Sequence, residues 1–234
     1  MTISSPHNPR LKHLRRLSDR RRERERTGHF VAEGEDLLAA ADAAGWEPVE
    51  RFCAAGSGLE GIEVEPALLD RASQLGSGTR ALAVYAARWG EPTGPRCVYL
   101  HGVSDPGNVG TVLRGALAFG AGSVALGPGC ADPFGPKAVR ASMGAIFAVP
   151  VARAAGPAAL PAPRVALVAR AGEPLDGGGV PAAASIVVGA ERAGLPDEVV
   201  EACEQVAHIP IASESLNAAM AATIALYELH RMAR

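Results

Sequence analysis

The chain has 234 residues, 48% of them hydrophobic and 4% aromatic, with 27 glycines, 18 prolines and a formal charge of -2. That is long enough for one large or two modest domains with a sizeable core, and few aromatics among many small residues point to helices packed on a sheet rather than a β-sandwich. Cys53, Cys97, Cys130 and Cys203 are too scattered for a zinc site or a disulfide framework, and no stretch approaches the ~20 apolar residues of a membrane span.

The N-terminal stretch has no signal-peptide core, and Asp19, Glu23 and Glu25 interrupt its arginines, which argues against a transit peptide. A soluble, cytoplasmic protein without a metal is expected. Charge is uneven: residues 10–26 hold nine Arg/Lys against three acids, whereas residues 27–92 hold four against eleven. Leu11, Leu14 and Leu17 fall on one helical face, with arginines around the rest. Two readings stay open for this helix. Either it is a solvated surface laced with i,i+3 and i,i+4 ion pairs, or it is an RNA-phosphate contact carried by Arg10, Lys12, Arg15, Arg16, Arg20 and Arg21. No aromatic interrupts the run, so such a contact would not read bases.

Beyond it the pattern predicts a strand at residues 29–33, a turn at Glu33-Gly34, a helix ending before Gly45, and a strand near residue 52. A strand at residues 61–65, a helix near residues 67–75 and a strand at residues 80–88 follow. These make a small α/β unit, residues 1–92, closed by the Pro/Gly-rich segment WGEPTGP at residues 89–95. GSGLEG, residues 56–61, matches a dinucleotide fingerprint, but IEVEP follows where a helix must begin, so a loop is expected.

The second unit, residues 95–234, alternates short apolar strands with helices. Strands are expected at residues 96–103, 123–127, 147–151, 164–169, 185–189 and 206–211. Helices are expected at residues 109–119, 136–145, 196–203 and 215–234. This is an α/β pattern with a parallel sheet covered on both faces, and ligands of such sheets bind beyond the carboxyl ends of the strands.

Three loops fall there. In the first, Asn108 is placed to cap a helix whose buried stripe is Val109, Val112, Leu113, Ala116 and Leu117. Gly110 leaves room for Arg114 to lie over the helix mouth, where a guanidinium suits a phosphate or an oxyanion. The second carries Glu191 between Gly189 and Gly194. In the third, Ser215 and Asn217 open the last helix, with Leu216, Met220, Ile224 and Tyr227 as its inward stripe.

Together, N-x-G-x-x-x-R, G-x-E-x-x-G-L and I-P-x…S-L-N resemble the three signature motifs of the SpoU/TrmH family of SPOUT RNA methyltransferases, over about residues 95–234. FVAEGEDLL resembles a ribosomal-protein-like RNA-binding domain. The resemblance implies S-adenosylmethionine as methyl donor and a ribose 2'-hydroxyl of structured RNA as acceptor, with large-subunit ribosomal RNA favoured. It also implies a homodimer with its site near the interface and a C-terminal trefoil knot. By position, the catalytic set is Asn108, Arg114, Glu191, Ser215 and Asn217, and the cofactor set is Gly189, Gly194, Leu195, Ile209, Pro210, Ser215 and Leu216. The chain departs from the family at Ala190, Arg192 and Ile211, at Ala218-Ala219, and in a shortened loop from Pro210 to Ser215, which would tighten or compromise the adenine pocket. A guanidinium is a poor proton acceptor near neutrality, so Arg114 is expected to clamp phosphate and stabilise alkoxide character rather than act as base. Three alternatives stand: a SPOUT-fold RNA-binding protein without transfer activity, a tRNA-directed methyltransferase, and an oxidoreductase, the last lacking a usable glycine fingerprint.

Overall fold

A computed structural model describes residues 2–74, 78–175 and 178–234. Leucines three apart make α1 (Pro9–Asp19), started by the Asn8 side chain, which accepts from the Arg10 N–H; an extended Arg20 then breaks the helix before α2 (Arg21–Thr27). Next come β1 (His29–Glu33), α3 (Glu35–Ala43), β2 (Glu50–Ala54), β3 (Ile62–Val64), α4 (Pro66–Asp70) and β4 (Ala81–Ala86). The end of the helix expected near residues 67–75 lies outside the described residues at Leu75. GSGLEG is a loop that leads into β3, with Gly56, Gly58 and Gly61 at positive φ.

The four strands form one sheet in the order β1-β4-β2-β3. Alternation along the strands splits its faces. Val31, Phe52, Val64, Leu82 and Val84 face the buried leucines of α1 and α4. Phe30, Ala32, Ala83 and Tyr85 face the opposite way, into a core that continues through the rest of the molecule. Phe30 meets Phe134 at 4.9 Å, Trp46 and Tyr85 meet Phe147 at 5.2 and 5.1 Å, and the Trp46 indole N–H donates to the Phe147 carbonyl at 2.8 Å. A junction of this apolar kind fixes the two sheets against each other.

The second unit runs β5 (Val98–Leu100), α5 (Pro106–Ala118), β6 (Val124–Leu126), α6 (Pro136–Ala141), α7 (Ala145–Ala148), β7 (Val151–Arg153), β8 (Arg164–Leu167) and β9 (Glu173–Pro174). β10 (Ser185–Val188), α8 (Asp197–Glu201), β11 (Gln205–His208) and α9 (Ala218–Met232) complete it. The strands form one sheet, β7-β6-β5-β10-β8-β11-β9, parallel at every pairing. Val98, Leu100, Ile186 and Val188 face α5 and α9; Cys97, Tyr99 and Val187 face the other side with Val199 of α8.

Several expectations are corrected. Phe147 and Ala148 belong to α7, because Phe147 is drawn into the aromatic junction, and the strand starts only at Val151. The α9 stripe turns by a face: Ala218, Ala219, Ala222, Ala225, Leu226 and Leu229 are buried, while Met220 and Tyr227 are 55% and 49% exposed. Small residues let α9 approach α5 closely, and a Cβ on Gly115 would stand 2.9 Å from the Thr223 hydroxyl. Leu117, expected inside, is 49% exposed on the adjoining surface of α5. The edge strand β9 has no counterpart in the sequence reading.

Candidate active site

Beyond the ends of β8, β10 and β11 lies an open cavity of about 130 Å³. Leu167, Ile209, Ile211 and Leu216 make it apolar; Gly189 and Ala190 line it beside them; Glu191 and Ser215 supply the polar side chains.

Local backbone demands explain the glycines. A Cβ on Gly189 would stand 2.3 Å from the Gly194 carbonyl carbon, so only glycine lets the loop after β10 fold back on itself. Gly194 closes that loop at φ +66°, its N–H donating to the Ala190 carbonyl at 2.9 Å. Glu191 is thereby held beside α5, where its carboxylate Oε1 accepts from the Asn108 side-chain Nδ2. Asn108 Oδ1 in turn accepts from Asn217 Nδ2 at 3.1 Å. Asn217 Oδ1 accepts from the N–H groups of Ala219 and Met220 at 2.9 and 3.2 Å, capping α9. One continuous chain of hydrogen bonds, Glu191 to Asn108 to Asn217, thus ties three loops remote in sequence to one rim.

Asn108 is not the cap expected of it. Asp105 caps α5 by accepting from the Asn108 N–H at 3.0 Å, and Asn108 stands in the first turn. Lys137, 2.8 Å from Asp105, and then that N–H hold the Asp105 carboxyl below its usual range. Gly110 does not make room for Arg114 either. It faces α6, where a Cβ would lie 2.3 Å from the Ala138 carbonyl. Arg114 is exposed, lies outside the cavity lining, and enters no hydrogen bond or ion pair among the described residues.

Of the expected cofactor residues, Gly189, Gly194, Ile209, Ser215 and Leu216 line the cavity. Leu195 instead packs toward the core on the far face of the sheet, and Pro210 is exposed outside the lining. The sequence reading missed Leu167, Val168 and Ala169 at the end of β8, and Ala218 and Ala221 of α9. The rule that ligands sit past the carboxyl ends of parallel strands was the signal for the first three. The shortened loop from Pro210 to Ser215 leaves the cavity present, with Ile211 in its wall.

The basic residues divide. α1 lies behind the small sheet, on the face away from the cavity. Arg10 pairs with Glu50 at 2.9 Å, and Arg15 donates to the Pro6 carbonyl at 2.8 Å. Lys12, Arg16 and Arg20 are exposed and enter no ion pair among the described residues. α2 reaches the second unit: Arg24 pairs with Asp132 at 2.7 Å, largely buried, and Arg21 pairs with Glu25 while approaching the Cys130 carbonyl at 3.5 Å.

Residues 95–227 match the SpoU rRNA Methylase family, and residues 8–85 match the MRM3-like substrate binding domain. The chain is 34% identical over 145 residues to RlmP of Bacillus subtilis, named a 23S rRNA (guanosine(2553)-2'-O)-methyltransferase, a match covering 58% of each chain. It spans between about a third and three fifths of the length of the curated relatives it matches. An AdoMet-bound rRNA methyltransferase from Sinorhizobium meliloti superposes with TM-score 0.85 at 28% identity, over 99% of this chain and 98% of that one. AviRb of Streptomyces viridochromogenes, a SpoU methyltransferase in complex with AdoMet, gives 0.84 at 25% identity over 97% and 98%. With a family match over more than half its length and a fold shared end to end with such structures, the chain belongs to the SpoU rRNA Methylase family.

Proposed function

We propose that this protein uses S-adenosylmethionine to methylate a ribose 2'-hydroxyl in large-subunit ribosomal RNA, acting as a cytoplasmic homodimer. Residues 95–234 form the catalytic unit and residues 1–92 the RNA-binding unit. The observation that carries the reading is the hydrogen-bonded rim, in which Glu191, Asn108 and Asn217 bring three loops to one cavity. The names of the relatives support the substrate class. The insertion of β10 between β5 and β8 supports the trefoil threading implied for the C-terminal segment. For the dimer, Leu117, Met220 and Tyr227 stand out from the adjoining helices α5 and α9, an apolar face suited to a second copy. Arg114 precedes Leu117 by one turn and borders that face.

The cavity suits the cofactor. Leu167, Ile209, Ile211 and Leu216 offer apolar walls to a purine, and the polar groups are gathered at Glu191 and Ser215. Bound there, S-adenosylmethionine supplies an electrophilic methyl group on a sulfonium. The acceptor oxygen must shed its proton as the new bond forms, and charge is neutralised, so a water-poor, fixed geometry is favourable. Among the described residues Glu191 is the one carboxylate lining the cavity, and it receives the hydrogen bond of the incoming hydroxyl and then its proton. Ser215 orients that hydroxyl, and Arg114 holds the neighbouring phosphate. Asn108, with its amide engaged at both ends, acts by positioning Glu191 and Asn217.

Titration calorimetry with S-adenosylmethionine is expected to show binding, and ribose-methylation mapping of cellular large-subunit RNA to show one site that disappears with the gene. Absence of binding, or a methyl group found on a base, overturns the proposal.

A further inference from the structure

A second depression, of about 520 Å³, opens past the ends of β6 and β7, on the same edge of the sheet as the cavity. Gly127, Pro128 and Gly129 line it, and so do Trp89, Arg153 and Arg21. It adjoins the first loop: the Gly102 N–H donates to the Pro128 carbonyl and the Ala131 N–H to the Val103 carbonyl, both at 2.9 Å. Strands lie about 4.8 Å apart, so three to four strand spacings separate groove from cavity, on the order of 15 Å. A strand with ~3.4 Å per stacked nucleotide crosses that distance in a few residues.

The groove is built for a flat ligand. Trp89 belongs to the segment joining the two units and is fixed by its neighbour Gly90, whose N–H donates to the Val151 carbonyl at 2.8 Å. Trp89 is 38% exposed; its ring stands nearly perpendicular to Phe134 at 5.1 Å and carries the Arg153 guanidinium 4.1 Å from its centre. The wall's acid, Asp132, is neutralised by Arg24 at 2.7 Å; Glu25, which also feels the Arg153 charge, is paired with Arg21 at 2.8 Å. An exposed guanidinium stacked on an indole presents a planar, positive surface, which unpaired nucleobases favour.

We propose that this groove is a second RNA subsite, where an unpaired nucleotide flanking the methylated one stacks on the Arg153–Trp89 pair with its phosphate toward Arg21. Only the choice of RNA as ligand rests on the methyltransferase reading. Trp46, the other tryptophan, is buried at the junction between the two sheets, so emission changes report on Trp89. Single-stranded oligoadenylate RNA is expected to quench the wild-type protein and to leave Trp89→Phe unchanged. Arg153→Ala should weaken its binding about tenfold, the cost of roughly one stacked base. Thermal unfolding that matches wild type in both variants shows that they are folded. Equal quenching in Trp89→Phe, equal affinity in Arg153→Ala, or equally tight binding of adenosine monophosphate alone overturns the subsite. A protein that binds the oligonucleotide in this way yet transfers no methyl group refutes the proposed activity and leaves the groove standing.

Discussion

Arg114 and Asn108 share a helix and differ in how they are held. Both polar ends of Asn108 are taken by Glu191 and Asn217, so it acts through them rather than on the substrate. Arg114 is exposed and unpaired among the described residues, and a guanidinium in that state grips phosphate without first breaking an internal ion pair. Arg114→Ala is therefore expected to lower the single-turnover methylation rate by about a hundredfold, the scale of losing one group that stabilises developing charge. S-adenosylmethionine affinity should hold, because Arg114 lies outside the cavity lining. Parallel losses of rate and cofactor affinity would instead make it a cofactor residue.

At the scale of elements, the start of α5 sets where Asn108 stands, and its cap is charged. Asp105 has its pKa lowered by Lys137 and by the Asn108 N–H, so its contribution is present above the ordinary carboxylate range and lost as pH falls through the lowered value. Asp105→Asn keeps a capping oxygen and removes the charge. At neutral pH it should cost at most about 1 kcal/mol, since the Lys137 pair is exposed. The difference in melting temperature from wild type should close below pH 4; a difference independent of pH would mean that the charge contributes nothing. The sequence announced α5, the loops and most strands, because buried parallel strands are apolar runs and loops carry glycine and proline. It misdirected the α9 face, since a hydrophobicity pattern selects bulky Met220 and Tyr227 whereas close approach to α5 selects alanines. The end of β8 was legible as a ligand-facing strand end, but that Leu167–Ala169 share a cavity with the loops after β10 and β11 follows from strand order, a long-range fact no local pattern carries. The choice of Asp132 by Arg24, 108 residues away, was hidden for the same reason.

Across the whole molecule, the basic N-terminal stretch serves two ends. Leu11, Leu14 and Leu17 are buried beneath the small sheet, and Arg24 bridges to the second unit. Removing residues 1–26 would strip core as well as charge, so weaker RNA binding after truncation would not distinguish the two. Side-chain replacement separates them. Lys12, Arg16 and Arg20 are exposed and unpaired among the described residues, and Lys12→Gln, Arg16→Gln and Arg20→Gln leave the buried leucines in place. If these three cations lie on RNA phosphates, the combined variant should bind RNA more weakly whatever its sequence. The slope of log affinity against log salt should fall by roughly one unit per lost contact, because each contact releases a condensed counterion. The check is binding measured across a salt series, with thermal unfolding of the variant matching wild type. A slope that does not move assigns the outer surface of α1 to solvent, and RNA contact then falls to α2 and to the groove beside Trp89.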